Sequence, residues 1–489
     1  MSDPHCPSPR EEARGALDGE YRRLVFPGSY RNPRPADRYH LAVIGAGPSG
    51  LVVSMAAATL GARVALIERQ AMGGDCLNVG CVPSKTLLAA AAGGLSFEAG
   101  MERVRVVRAR IARHDSVERY ASAGIDVFLS EARFEAPHRL RAGEAVLSAR
   151  KVVIATGARP LVPRIPGLEA LAPLTNESVF ELRAQPRRLA IIGAGPAGCE
   201  LAQAFARLGS QVDLIDLASQ VLPREEPEAA ALVAQSLARD GVALHLAAEV
   251  RSAAMERDGK ALSLPGGRRI VADEVLVAAG RRRNIEGLDL DRAGVRLDSR
   301  GAIKIDEHLR TSHPDIYAAG DVCSDYQFTH VADAHARVVA RNALFHGRAR
   351  ADRLILPRCV YTQPEVAHAG ATSLELLQAG RRFDRYRIGL SELDRAVTDD
   401  AEEGYAEVLT ARGSGRIFGV TLVGRDAGEQ LAAILVLMSR GVGLGSIGSL
   451  VLPYPTRSEY LRRLADAYGR RRLTPWVSAL LKWWLRYAR

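Results

Sequence analysis

Apolar residues in this chain follow two rhythms. Short unbroken runs, such as Leu41-Ala-Val-Ile44, Ala65-Leu-Ile67, Val152-Val-Ile154, Leu189-Ala-Ile-Ile192 and Val275-Leu-Val277, stop at glycines or acids. Runs with no polar alternation predict strands of a parallel sheet covered on both faces. Alanine-rich stretches of helical spacing separate them, so βα units alternate from Tyr39 onward. Residues 1–37 show neither rhythm; Pro4, Pro7, Pro9, Glu11 and Glu12 predict an extension or partly ordered arm. From about 355 the character changes. The strand-like Arg416-Ile-Phe-Gly-Val-Thr-Leu-Val423 precedes an apolar helix over Glu429–Ser439 and a Gly-rich 441–448, which reads as an α+β assembly module.

Two of the βα units repeat one another. His40-Leu-Ala-Val-Ile-Gly-Ala-Gly-Pro-Ser-Gly50 leads through a helix to Glu68, and Leu189-Ala-Ile-Ile-Gly-Ala-Gly-Pro-Ala-Gly198 leads through a helix to Asp216; first glycine and acid are 23 positions apart in both. Strand, glycine turn, helix, strand and acid together form the dinucleotide-binding fingerprint. Gly45 and Gly193 permit the tight turn, Gly47 and Gly195 the approach of a pyrophosphate, and Gly50 and Gly198 close helix packing. Glu68 and Asp216 are expected to accept hydrogen bonds from a ribose. Two fingerprints imply two dinucleotides, one held and one exchanged. The glycine turns at Thr156-Gly157, Gly280 and Gly320-Asp321, each at a strand end, belong to the same framework.

Composition narrows the class. The chain has 489 residues, enough for several domains, and 47% hydrophobic residues without a run long enough to cross a bilayer. The net charge of +10 from 66 basic and 56 acidic residues comes with no nucleic-acid motif, so no nucleic-acid partner is expected. Six scattered cysteines and no apolar leader stretch fit a reducing, cytoplasmic setting rather than secretion. The segment 476–489 mixes Trp476, Trp483, Trp484 and Tyr487 with Lys482, Arg486 and Arg489. It reads as a basic amphipathic helix that covers a dimer or docks over its own domain in preference to lying on an anionic membrane.

One cysteine pair is close in sequence, in Gly73-Gly-Asp-Cys-Leu-Asn-Val-Gly-Cys-Val-Pro-Ser-Lys85. Cys76 and Cys81 are too far apart along a regular helix to meet, since five residues rise about 7.5 Å. Gly80 and Asn78 supply the distortion, and Pro83 suits the first turn of a following helix whose positive end favours a thiolate. A zinc half-site lacks a second Cys or His pair at ligand spacing, so no metal site is expected.

On this box and the two fingerprints, from about Tyr39 to Ala467, the chain resembles the class I pyridine nucleotide–disulfide oxidoreductases. These include dihydrolipoamide dehydrogenase, glutathione reductase and mercuric reductase, and the mercuric reductase-like members are the nearest. The resemblance implies an α/β protein with two Rossmann-like, doubly wound, three-layer dinucleotide-binding domains plus an α+β dimerisation domain. Its segments would be an extension (1–37), an FAD-binding domain (38–160 and 281–353), an NAD(P)-binding domain (161–280), an interface domain (354–475) and a basic amphipathic tail (476–489). FAD would be held by Gly45, Gly47, Gly50, Glu68, Gly74, Lys85, Thr156, Gly157, Gly320 and Asp321. NAD(P)H would be held by Gly193, Gly195, Gly198, Glu200, Asp216 and Gly280. Cys81 is then the thiol next to the flavin and Cys76 the outer one, Lys85 pairs with Glu200, and two copies share their active sites through Tyr454 and Glu459. Asp216, with no Arg until Arg224, favours NADH over NADPH.

Two departures from the family pattern stand out. Tyr454-Pro-Thr-Arg-Ser-Glu459 has Tyr where disulfide reductases have a His, and a phenol titrates near 10 rather than 6.5, so it is no base at neutral pH. Asp75 replaces Thr, and a carboxylate there is expected to raise the pKa of Cys76. Mercuric reductases also carry a cysteine pair near their end, whereas residues 360–489 contain no cysteine. The expected activity is NADH oxidation through FAD and Cys76–Cys81, with a disulfide, thiol or soft metal as small-molecule acceptor. The alternative is an NAD(P)H:quinone or diaphorase-type reductase at a membrane surface; a non-catalytic redox sensor is disfavoured by the complete electron path.

Overall fold

The computed structural model describes residues 9–345 and 347–488, with side-chain surroundings from residue 17. In chain order the elements that frame the site are α1 (Pro9–Val25), β1 (Tyr39–Ile44), α2 (Pro48–Thr59), β2 (Val64–Glu68), α3 (Gly74–Asn78), α4 (Cys81–Ala92), α5 (Phe97–Ala112) and α6 (Val117–Ser122). Strands β3 (Ile125–Leu129), β4 (Ala132–Ala136), β5 (Arg139–Ala142), β6 (Ala145–Ile154), β7 (Ala158–Pro160) and β8 (Arg188–Ile192) follow. Next come α7 (Pro196–Arg207), β9 (Gln211–Ile215), α8 (Pro227–Arg239), β10 (Val242–His245), β11 (Ser252–Glu256), β12 (Gly259–Ser263), β13 (Arg269–Ala272), β14 (Glu274–Val277), β15 (Arg281–Arg283), β16 (Ile316–Ala318) and α9 (Thr329–Phe345). The remainder is β17 (Arg358–Val360), β18 (Glu365–Gly370), α10 (Ser373–Gln378), β19 (Phe383–Gly389), α11 (Asp394–Thr398), β20 (Tyr405–Ala411), β21 (Ile417–Gly424), α12 (Ala427–Ser439), α13 (Glu459–Arg472) and α14 (Pro475–Tyr487).

These elements make two compact units. One takes the chain through Gly193, with Ala204–Asp213 and Glu249–Leu354; the other takes Ala194–Gln203, Leu214–Ala248 and Ile355 onward. They are coarser than the five segments read from the sequence.

In the first unit, β3, β2, β1, β6 and β16 pair in parallel, and β4 and β5 extend β6 as an antiparallel meander. Alternation sends Leu41, Val43, Leu66 and Val153 into one core and Ala42, Ile44, Ile67 and Ile154 into the other, on opposite faces of the sheet. Burial on both faces is why these strands read as unbroken apolar runs. Each such Val, Leu or Ile contributes roughly 1.5–3 kcal/mol by leaving water. Strand β8 of the second fingerprint pairs in parallel with β14, from Leu189 opposite Glu274 to Ile192 opposite Val277.

Residues 9–25, expected as an arm, form α1. Its anchors are mixed: Asp18 lies 3.9 Å from Arg105 and 3.1 Å from Arg183, Glu20 2.7 Å from Arg113, and Arg108 stacks 4.4 Å from the Tyr21 ring. Val25 is buried in the core with Tyr21 and Leu24 packed against it, and with these apolar residues confined to the last turns the helix shows no sustained apolar periodicity. Residues 1–8 lie outside the described residues.

In the second unit, β17, β18, β21, β20 and β19 form an antiparallel sheet. Ala367, Tyr386, Val408 and Leu422 from the sheet share one core with Leu431 and Ile434 of α12 and Tyr460 and Leu464 of α13. The expected strand at 416–423 and helix at 429–439 are β21 and α12, each shifted by one or two residues.

Candidate active site

The two fingerprints are built alike. Gly45 has φ +100° and Gly193 φ +111°, and a Cβ on either would lie 2.4 Å from Ala155 O or 2.5 Å from Ala278 O. Only glycine can bring the turn this close to the neighbouring strand end. Each terminal acid then closes its own turn. Glu68 accepts from the Ala46 and Gln70 amides, both at 2.7 Å, and Asp216 accepts from Ala194 N at 2.5 Å and Ala218 N at 2.7 Å. Glu68 is buried, and that burial raises its pKa against the pull of its amide donors. The remaining glycines sit where the fingerprint needs them: Gly47 caps α2, with Gly50 in its first turn, and Gly195 precedes α7, which contains Gly198. Gly157, Gly280 and Gly320 follow β6, β14 and β16. Thr156 is fixed by exchange with Asn284, Oγ1 donating to its carbonyl at 2.6 Å and Asn284 Nδ2 returning a bond at 2.9 Å.

The cysteine loop follows β2. Gly74 opens α3, Cys76 lies within it, and Gly80 turns the chain so that Cys81 opens α4. A Cβ at Gly80 would sit 2.7 Å from Asp75 O and 3.3 Å from Cys76 Cα, so the turn that joins the thiols needs glycine. Asn78 braces it, its Nδ2 donating to Gly74 O at 2.7 Å and Met72 O at 3.1 Å, and Tyr21 of α1 donates to its Oδ1. The cysteines are in the dithiol state. Cys76 is hydrogen-bonded to Cys81, and this bond, followed by burial, the Cys81 charge and, least, the Asp115 charge, pushes its pKa up against a hydrogen bond from Thr329. Thr329, first residue of α9, lies with Oγ1 3.3 Å from Cys81 Sγ. Cys81 occupies the first position of α4, the positive end of that helix.

Asp75 does not act on Cys76 as the sequence predicts. Its carboxylate is paired with Arg281, whose Nη2 also donates to Ala158 O at 2.6 Å and whose Nε lies 3.5 Å from Asp321 Oδ2. The acid that raises the thiol is Asp115, while the charge of Asp75 falls on Asp321 and Glu177 and raises both. Asp321 is partly buried, and apart from its contact with Arg281 it accepts no hydrogen bond from any described residue. Burial lifts its pKa to about 6, with Arg281 pulling it down and Asp75 and Cys81 pushing it up. A desolvated carboxylate short of donors at a strand end fits a polyhydroxyl chain such as the ribityl of FAD. Thr329, Arg281 and Asp115 are absent from the sequence reading. Arg281 directly follows Gly280; nothing adjacent marks the other two.

In the second unit, Glu200 is buried on α7 and accepts from the Tyr361 amide at 3.0 Å. Tyr454 is 70% exposed and donates to Asp394 Oδ2 at 2.5 Å, a bond that raises the phenol's pKa. Glu459 accepts from Arg463 at 2.9 Å through Oε1, while its buried Oε2 has no partner among the described residues. Lys85 lies on α4 of the first unit and Glu200 in the second, so their pairing stays an expectation.

Paired glycine turns, a dithiol at a helix start and a partly buried acid at a strand end define a dinucleotide-dependent dithiol oxidoreductase. The family described as pyridine nucleotide-disulphide oxidoreductase matches residues 39–336, and its dimerisation domain matches 356–465. The chain belongs to this family and is an FAD-dependent enzyme of the mercuric reductase-like kind. It is 32% identical over 458 residues to a mercuric reductase of Streptomyces lividans, covering 88% of this chain and 96% of that one. It is 33% identical over 452 residues to a dihydrolipoyl dehydrogenase of Thermus scotoductus, covering 88% and 97%. Among solved structures, a Cu(II) complex of the HOCl-induced flavoprotein disulfide reductase RclA of Escherichia coli superposes with a TM-score of 0.83 at 28% identity, covering 88% and 99%.

Proposed function

We propose that this enzyme oxidises NADH and delivers the electron pair to a thiophilic metal ion held by Cys76 and Cys81, in preference to an organic disulfide. The observation that carries this reading is Tyr454. Cleaving an organic disulfide requires a proton for the departing thiol, and a phenol bonded to Asp394 with a raised pKa is a poor partner for that transfer. A soft metal ion needs none: it displaces the thiol protons and binds the thiolates directly. The relatives named for mercury and the Cu(II) complex of RclA are of the same kind.

FAD, when bound, accepts hydride from NADH and passes two electrons on. Glu68, Asp321, Thr156 and Lys85 hold it, with Gly45, Gly47, Gly50, Gly74, Gly157 and Gly320 giving room for its backbone contacts. Asp216 sits at the mouth of the second glycine turn with Gly193, Gly195, Gly198 and Gly280, where its charge repels a 2′-phosphate and selects NADH. Cys81 is the inner thiol, poised by Thr329 and the start of α4; Cys76, whose pKa is raised, stays protonated until a metal displaces its proton. Overall, NADH and one Hg(II) give NAD⁺, Hg(0) and one proton, whereas NADH and two Cu(II) give NAD⁺, two Cu(I) and one proton. The dimerisation domain supports a homodimer, in which Tyr454 and Glu459 of one copy serve the outer thiol of the other.

Stopped-flow mixing of NADH-reduced enzyme with Hg(II), Cu(II), lipoamide, glutathione disulfide and a soluble quinone tests this. Reoxidation is expected to be fastest with the metals and to disappear in Cys76→Ser. Disulfides that outrun the metals overturn the reading.

A further inference from the structure

Helix α14 has its own start signal: Thr474 Oγ1 accepts from the Val477 amide at 3.4 Å and Pro475 takes the first position. No residue of it is buried; Trp476 and Tyr487 are each 73% exposed. At about 100° per residue, Trp476, Leu480, Trp483, Trp484 and Tyr487 share one face. Ser478, Lys482 and Arg486, spaced by four, make a narrow stripe opposite. All three tryptophans of the chain are here, and residues 467–489 carry Arg470, Arg471, Arg472, Lys482, Arg486 and Arg489 with no acid.

Charge decides what covers this face. A contact with a second copy through the aromatic face would bring two such segments close together, and among the described residues only Arg471 of their cations has a carboxylate beside it, Asp384 at 3.5 Å. A surface of lipid phosphates supplies the opposite charge. Indole and phenol rings, apolar with one polar edge, suit the boundary between headgroups and acyl chains. No helix among the described residues is long and apolar enough to cross a membrane, so the helix would lie in the surface plane. We propose that α14 docks this enzyme onto anionic lipid bilayers, aromatic face inward, with Lys482 and Arg486 at the phosphates. The proposal stands apart from the identity of the acceptor.

Because α14 holds every tryptophan, intrinsic emission of the holoenzyme reports on this helix alone. Vesicles of phosphatidylcholine with phosphatidylglycerol are expected to move the emission to shorter wavelength and to sediment the enzyme; phosphatidylcholine alone is not, and added salt reverses the effect. Lys482→Glu with Arg486→Glu should weaken partition by roughly tenfold or more, with mass in solution and NADH-dependent dye reduction unchanged. Two results overturn the proposal. One is unchanged emission with phosphatidylglycerol. The other is emission already short-wavelength and shielded from quencher without vesicles, with Trp483→Ala and Trp484→Ala dissociating the dimer, which assigns the face to a second copy.

Discussion

The dithiol region and the Tyr454 region hold their polar groups in opposite ways. Around Cys76 and Cys81 the contacts are internal and partly buried: Thr329 on one thiol, Asp115 behind the other, Arg281 between Asp75 and Asp321, and Tyr21 behind Asn78. Tyr454, by contrast, is exposed and its phenol is spent on Asp394, while Glu459 keeps one oxygen without a partner. The dithiol and the groups that surround it all lie within the first unit. In the proposed reading, an exposed phenol with a raised pKa at Tyr454 favours an acceptor requiring little proton transfer.

The contrast can be broken most sharply at the inner thiol. Cys81→Ser is expected to cut acceptor turnover by on the order of a thousandfold while flavin content stays normal; a loss below tenfold would remove the dithiol from the pathway. Arg281→Met comes next, because it leaves Asp75 and Asp321 as neighbouring carboxylates without their cation. A loss of about 3–5 kcal/mol in chemical unfolding, together with flavin release, is expected, and Asp75→Asn in the same chain should recover part of it. If Arg281→Met is silent, the pairing is not structural.

Asp321 gives a pH signature in the flavin-free protein. Its folded pKa, about 6, lies above the ordinary value of 3.8. The folded state therefore keeps a proton that the unfolded chain releases, so its contribution is most favourable below pH 4 and is lost as pH rises toward 6. Asp321→Asn should remove that slope, on the order of 1–3 kcal/mol across the window in paired urea titrations. On the other side of the comparison, Tyr454→Phe should slow metal reduction by less than about tenfold, whereas Tyr454→His should raise turnover with an organic disulfide by about tenfold or more. A large loss in Tyr454→Phe with Hg(II) would make the phenol an active participant.

Much of the first unit was legible because parallel strands are apolar on both faces and glycine turns tolerate no substitute. β1, β6 and β14, Gly45 and Gly193, and the turn at Gly80 all follow from local rules. What escaped depends on distance along the chain. Thr329 is 248 positions from Cys81 and Arg281 is 206 from Asp75, and no local pattern encodes either contact. Reading Asp75 as a neighbour of Cys76 in sequence gave it a target that the fold replaces with Arg281, Asp321 and Glu177. Helix α1 escaped for a different reason: its apolar anchors Tyr21, Leu24 and Val25 are confined to the last turns, and Asp18 and Glu20 fasten it by ion pairs.

The central claim is that electrons reach Cys81 by way of the bound flavin. Anaerobic titration with NADH, followed by absorbance, tests it in wild type and Cys81→Ser side by side. Wild type is expected to develop a long-wavelength thiolate-to-flavin band after one equivalent, and the variant to bleach the flavin without it. The same band in both proteins would contradict the account.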